Sequence, residues 1–296
     1  MDKKKIITRL LTGCAFGFTT IGCIAHGGLA LTILIMLVIF LATKEYVLIL
    51  ENKGFYPSLK IILFVDVLFS LLAYFNKISL LPVTLTIGCV MTFICMLYKG
   101  KQPYIANVAS TILGFIYSGL FPLYMLFIRD IGSTPQFHYF IKSSSDAEGL
   151  GYLFLLFFCV VFTDTGCYYF GSKFGKNKLA PVISPNKTIE GAVSGVICSI
   201  VTALIIGQMI DVAWYHCLVV GILSSFFAQI GDLCESLIKR DAGVKDSGSM
   251  LPGHGGFLDR TDSFVFSLPV MYYYFQYFVY DANTTNNLLS MFKGLV

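Results

Sequence analysis

Charge is what this sequence has least of. Asp, Glu, Lys and Arg make up 13% of its 296 residues, where soluble domains carry about 25%. With 56% apolar residues and a mean hydropathy of +0.76, a water-soluble globule is excluded. The apolar runs also lack polar alternation, which excludes a membrane β-barrel. No C-x-x-C occurs among the nine cysteines, the count is odd, and most lie inside apolar runs, where cysteine behaves as a small hydrophobe. A disulfide framework or a zinc site is therefore not expected. No internal repeat and no low-complexity segment is present. The net charge of +4 decides nothing until the charges are placed.

What remains is an all-α, polytopic integral membrane protein. A bilayer core needs about 20 apolar residues per helix. Nine stretches qualify: 6–24, 29–43, 59–75, 80–97, 108–127, 150–170, 191–209, 212–230 and 264–280. The second is short, so eight spans are possible if the first two form one partly inserted hairpin. The start, MDKKKIITRLLTGC, imitates a signal peptide, but the apolar stretch before Cys14 is short and contains Arg9. It reads as an uncleaved first helix. With the N-terminus in the cytoplasm, 17 of the 21 Lys and Arg fall on inside loops. Only Lys77, Arg129, Lys142 and Lys293 fall outside, as the positive-inside rule requires. Residues 1–149 then hold about five helices and an outer loop, 129–149. Residues 150–281 hold the rest, with cytoplasmic loops 171–190 and 231–263, and 282–296 form an outer tail. Trp214, Tyr215, Tyr272, Tyr273, Tyr274, Tyr277 and Tyr280 read as interface anchors.

The second cytoplasmic loop concentrates the scarce charge. It brings Asp232, Glu235, Asp241, Asp246, Asp259 and Asp262 together with Lys239, Arg240, Lys245 and Arg260. Such acids bind divalent metal and such bases bind phosphate, so phosphoryl chemistry on a lipid is the first reading. Asp232, Ser236, Lys239 and Arg240 stand at i, i+4, i+7 and i+8, one side of a helix that Gly243 would stop. In the following PGHGGFLDRTD, Gly255 and Gly256 permit positive φ. Asp259 and Asp262, at i and i+3, can face one cluster at a helix start. His254 is a turn histidine or a phosphate contact. Asp164, inside the sixth span, is a functional candidate because an intramembrane carboxylate is costly. In ISPNKTIEG, Ser184 reads as a helix cap and Pro185 as the first helical residue. Lys187 would then sit at a helix N-terminus beside a docked anion.

These residues resemble those of the phosphatidate cytidylyltransferases, or CDP-diacylglycerol synthases. That family's pattern is S-x-x-K-R-x4-K-D followed by P-x-H-G-G-x-x-D-R-x-D. It is matched by Ser236, Lys239-Arg240, Lys245-Asp246, Pro252, His254-Gly255-Gly256, Asp259-Arg260 and Asp262, with the spacing kept. Supporting similarity lies in FTDTGCYYFGSKFGKNKLAPVISPNKTIEG and TILGFIYSGL. Thr163, Lys173 and Asn186 depart from the family's Asn, Arg and first Lys, and Lys187 keeps the second Lys position. The first hundred residues match only as apolar helices.

The resemblance implies that CTP and phosphatidate give CDP-diacylglycerol and pyrophosphate with Mg2+. It further implies a homodimer in the cytoplasmic membrane with its site on the cytoplasmic face, and no nucleic-acid partner. By the same resemblance Asp232 and Asp259 hold the metal, supported by Asp164. Lys239, Arg240 and Lys187 bind phosphates, and Ser184 belongs to the substrate site. Ser236, Asp246, His254, Arg260 and Asp262 order the site. Phosphatidate's phosphate, at about −1.5 to −2, needs no strong base, which suits a chain without a Ser/His/Asp triad. Two other readings stand beside this one. A kinase or phosphosugar transferase acting on a polyprenyl lipid also sets aspartates in cytoplasmic loops. A secondary transporter also places polar residues in membrane helices, but usually in two repeated halves.

Overall fold

The computed structural model describes residues 3–133, 136–138, 141–143, 147–248 and 255–280. Within them the chain forms nine helical rods. Helices α1 (Lys3–His26) and α2 (Gly28–Asn52) are separate, because Gly27 and Gly28 both take positive φ, 67° and 51°. The short second stretch is thus a full helix. With no Gly or Pro between Leu29 and Lys53 it runs past residue 43 and carries Lys44 and Glu45 inside it. After α3 (Leu59–Tyr74) and α4 (Leu81–Lys99), the fifth rod is α5 (Tyr104–Gly114), a π-helical turn (Phe115–Leu120) and α6 (Phe121–Arg129). The expected outer loop contains a small hairpin, β1 (Gln136–His138) against β2 (Ile141–Ser143).

The second half begins with α7 (Ala147–Phe174). A hairpin of β3 (Lys178–Ala180) and β4 (Ser184–Thr188) follows, then α8 (Ile189–Met209), α9 (Trp214–Asp241) and α10 (Leu258–Tyr274), extended by a π-helical turn (Phe275–Tyr280). Here the structure corrects an expectation. Residues 184–188 are a strand, antiparallel to β3 with Lys178 opposite Thr188 and Ala180 opposite Ser184. Proline disfavours α geometry in the residue before it, which keeps Ser184 extended. The helix starts instead at Ile189, where the Thr188 hydroxyl accepts from the Gly191 amide at 3.2 Å. Glu190 turns back to take the amides of Lys176 and Asn177, at 3.0 and 3.2 Å, and so ties the hairpin base.

Six of the described helices are long and apolar enough to cross a membrane. Val193, Ile197, Val201 and Ile205 form an exposed apolar stripe on α8, as expected of a helix face that meets lipid. Between helices, lipid removes the hydrophobic driving force, and small residues permit close packing instead. Helices α7 and α8 meet in this way. A Cβ added at Gly195 would lie 2.3 Å from Cys167 Sγ and 3.1 Å from the Thr163 carbonyl oxygen. Helices α9 and α10 meet at Gly231, where a Cβ would lie 2.2 Å from the Asp262 carbonyl oxygen. Larger side chains fill the centre: Leu153, Leu156 and Val160 of α7, Leu268 and Met271 of α10, and Phe127 of α6. Gly195→Leu overpacks the α7–α8 crossing and should cost about 1–3 kcal/mol. A lowered melting temperature in detergent, against an unchanged Val201→Leu control on the lipid stripe, checks it.

Candidate active site

At one end of α7 to α10 lies a cavity of about 1230 Å3. Five elements and one connecting segment supply its charge, with Lys178 coming from β3. Helix α7 gives Asp164, β4 gives Ser184 and Lys187, and α9 gives Asp232 and Lys239. The segment after α9 gives Asp246, and α10 gives Asp259, Arg260 and Asp262. Sequence positions nearly a hundred apart therefore line one volume.

The row on α9 is Asp232, Glu235 and Lys239, at i, i+3 and i+7. Glu235 is fully buried, and the Lys239 ammonium pairs with it one turn away. The same ammonium reaches across to α10 and meets Asp259 Oδ1 at 2.5 Å. The other oxygen of Asp259 accepts from the amides of Gly256 (2.9 Å) and Ser247 (3.1 Å). Gly255 takes φ +80°, and a Cβ there would come within 2.6 Å of Asp259 Oδ2, so the turn closes on the carboxylate. Asp259 lies on the polar first turn of α10, before the apolar run begins at Phe264. Burial acts to raise its pKa, but Lys239 and the Gly256 amide outweigh burial and hold the carboxyl at about 2.

Asp232 Oδ2 lies 2.6 Å from Lys187 Nζ. Lys187 thus reaches the site from a strand, not from a helix N-terminus, and its contact there is a carboxylate. Asp262 is 8% exposed, and its Oδ1 accepts from the Ser263 amide at 2.7 Å. The Ser263 hydroxyl also donates to Asp164 Oδ1 at 3.3 Å. Asp164, open to the cavity, is joined in this way to α10. Asp164, Asp232 and Asp262 are close enough for their charges to interact.

Helix α9 ends as the sequence suggests. Gly243 has φ +73°, its amide donates to Arg240 O (3.1 Å), and the Val244 amide donates to Lys239 O (2.9 Å). This is a Schellman closure. Ser236 and Arg240 stand outside the cavity lining. Arg240 is exposed and donates to the carbonyls of Ile183 (3.2 Å) and Val244 (3.3 Å), bracing the β3–β4 turn against the end of α9. A step of 100° per residue explains the separation, since Arg240 points a quarter turn away from Lys239. Pro252 and His254 lie outside the described residues.

Two acids escaped the sequence reading. Glu235 was counted among the loop acids and given no role, yet it is the buried partner of Lys239. Glu45 is 2% exposed in α2. Its Oε2 accepts from the Ser247 hydroxyl (3.1 Å) and the Leu258 amide (3.0 Å). Ending the second span at residue 43 hid it; within a span of full length, a carboxylate is conspicuous.

The donor set suits a hard divalent cation. Five aspartates line the cavity with three lysines and one arginine, and all the anionic donors are oxygens. Among the described residues no three His, Cys, Asp or Glu side chains are grouped to hold a metal alone. Mg2+ does not require that, because it takes one or two carboxylates and completes its shell with phosphate oxygens and water. Asp232 and Asp259 each already hold a cation, a lysine ammonium.

Residues 7–278 match the cytidylyltransferase family. A phosphatidate cytidylyltransferase of Synechocystis is 32% identical over 292 residues, covering 93% of this chain and 96% of that protein. The phosphatidate cytidylyltransferase of Staphylococcus saprophyticus is 54% identical over 127 residues, 42% of this chain. That of Staphylococcus aureus is 50% identical over 137 residues, 46% of this chain. These two staphylococcal matches span 49% and 52% of the relatives' own lengths.

Lys239→Met leaves Glu235 buried without a counter-charge and should destabilise the protein by about 3–5 kcal/mol. Adding Glu235→Leu should recover most of that loss. Detergent melting of the single and double variants tests it, and a single variant as stable as wild type would remove the pair from the structural core.

Proposed function

We propose that this chain, which belongs to the cytidylyltransferase family, transfers a cytidylyl group from CTP to phosphatidate. An oxygen of the lipid phosphate bonds to the α-phosphorus of CTP. The bond from that phosphorus to the oxygen leading to the β-phosphate breaks, and pyrophosphate leaves with the electron pair. CDP-diacylglycerol remains in the membrane. One observation carries the reading: acids and bases from α7, β4, α9 and α10 line a single cavity at the ends of membrane helices. There a water-soluble triphosphate and a lipid headgroup can meet.

The chemistry asks little of a base and much of positive charge. The nucleophile is already an anion, and the barrier is its repulsion by the triphosphate. Lys187, Lys239 and Arg260 face the cavity and are proposed to take the phosphate oxygens and the charge that develops on pyrophosphate. Arg240 is given a different role, bracing the β3–β4 turn that carries Lys187. Mg2+, held by Asp232 and Asp259 with Asp164 in support, would supply Lewis-acid polarisation of the α-phosphate and neutralise the leaving group. Asp246 stands at the open rim and Asp262 at the buried floor, where they fix the electrostatics around those groups. The distribution of Lys and Arg supports a cytoplasmic site, the side from which CTP arrives. The working unit is proposed to be a homodimer in the cytoplasmic membrane, as in the family it resembles.

Purified full-length chain with labelled CTP and phosphatidate should yield labelled lipid and pyrophosphate one for one. EDTA should stop the reaction and added Mg2+ restore it. Asp259→Asn should lower turnover about 100-fold or more in protein that still inserts and folds. Turnover within a few-fold of wild type would take Asp259 out of the metal site, and release of a nucleoside diphosphate would replace this reaction with a kinase.

A further inference from the structure

Helix α2 belongs to the half of the chain whose sequence carries no recognisable chemistry, yet it touches both ends of the segment joining α9 to α10. At the α9 end, the Lys53 ammonium pairs with Asp241, the last residue of that helix. At the α10 end, Glu45 Oε2 accepts from the amide of Leu258, the first residue of that helix, and from the Ser247 hydroxyl. Glu45 and Lys53, the residue that follows the last turn of α2, are eight apart, about 12 Å along the helix axis. Gly248 and Gly256 close tightly on the carboxylate. A Cβ at Gly248 would lie 2.5 Å from Glu45 Oε1, and one at Gly256 would lie 2.3 Å from Oε2.

We infer that Glu45 is a positioning residue, acting on Asp259 through Ser247 and the start of α10. The path is short. Glu45 fixes the Ser247 hydroxyl. The Ser247 amide donates to Asp259 Oδ2, and the Asp259 amide approaches the Ser247 hydroxyl at 3.4 Å. Helix α10 has no cap from its own flanking side chain. Glu45 does that work from another helix, placing an anion where the exposed amides and the helix dipole favour one. A carboxylate 2% exposed at this depth is costly unless such donors hold it. The energy that keeps Glu45 buried is therefore the same energy that keeps the Asp259 carboxylate aimed into the cavity. Lys53–Asp241, at 31% and 56% side-chain exposure, is the looser of the two ties and sets only the end of α9.

The inference rests on the proposed reaction for its kinetic arm, but its structural arm stands alone. Glu45→Ala and Glu45→Gln are made in the full chain, and amide exchange is followed by mass spectrometry. In Glu45→Ala, exchange in peptides spanning 247–248 and 255–259 should accelerate about tenfold or more, with the α7–α8 hairpin unchanged. The turnover number should fall about 10–100-fold, while KM for phosphatidate stays within about threefold. Glu45→Gln keeps an oxygen acceptor for two neutral donors and should lie within about tenfold of wild type. Unchanged exchange in 255–259 would overturn the assignment, as would a Gln variant no better than Ala. If Glu45→Ala does not insert, Ser247→Ala and Glu45→Gln decide. Acting as one unit, their double variant loses no more than the worse single, and additive losses overturn the unit. Wild type that makes no CDP-diacylglycerol, with exchange behaving as expected, would sink the reaction and leave the positioning role intact.

Discussion

Everything at the polar end of this molecule depends on one ammonium group. Lys239 stands between Glu235 on its own helix and Asp259 on the next. Without it, two carboxylates would face each other at the edge of a bilayer, and α9 and α10 would have no polar reason to meet where they do. The close passage at Gly231 brings the backbones together. Lys239 then decides which side chains share the space below. Asp259 is caught on both oxygens, by an ammonium on one side and two backbone amides on the other.

That arrangement suits the proposed transfer between two anions. Lys239 and two backbone amides hold the Asp259 carboxylate ionised and oriented, and Lys187 pairs with Asp232. The bases come from three different elements: Lys187 from a strand hairpin, Lys239 from α9 and Arg260 from α10. The β3–β4 hairpin is kept in place by Glu190 at its base and Arg240 at its turn, two residues whose charges serve the backbone rather than the cavity.

The amino-terminal half is more than a membrane anchor. Its α2 reaches the loop between α9 and α10 at two points, and its α3 buries another carboxylate. Asp66, 2% exposed, accepts from Thr43 of α2 at 3.1 Å, and Thr43 in turn meets Ser118 of the π-helical turn at 2.9 Å. A Cβ at Gly119 would lie 1.9 Å from Asp66 Oδ1. The polar bonds of this half tie its helices to one another, and α2 also bonds to the start of α10.

The sequence by itself determined the class of fold and the family. Those follow from local quantities: hydropathy over about twenty residues, the placement of Lys and Arg, and the spacing around Lys239 and Asp259. It also determined the end of α9, because only a residue tolerant of positive φ closes a helix as Gly243 does. Three things were decided in space. The run from Ser184 to Thr188 is a strand because it finds β3 as a partner and Glu190 ties the hairpin base, and pairing of that kind is not local. Lys239 rather than Arg240 enters the cavity because a neighbouring helix occupies one azimuth of α9 and not the next. Glu45 joins the site although it is 213 residues from Leu258. No periodicity in a chain encodes which distant amide a buried carboxylate will find, since that choice is made only when packed helices leave it one place free of lipid.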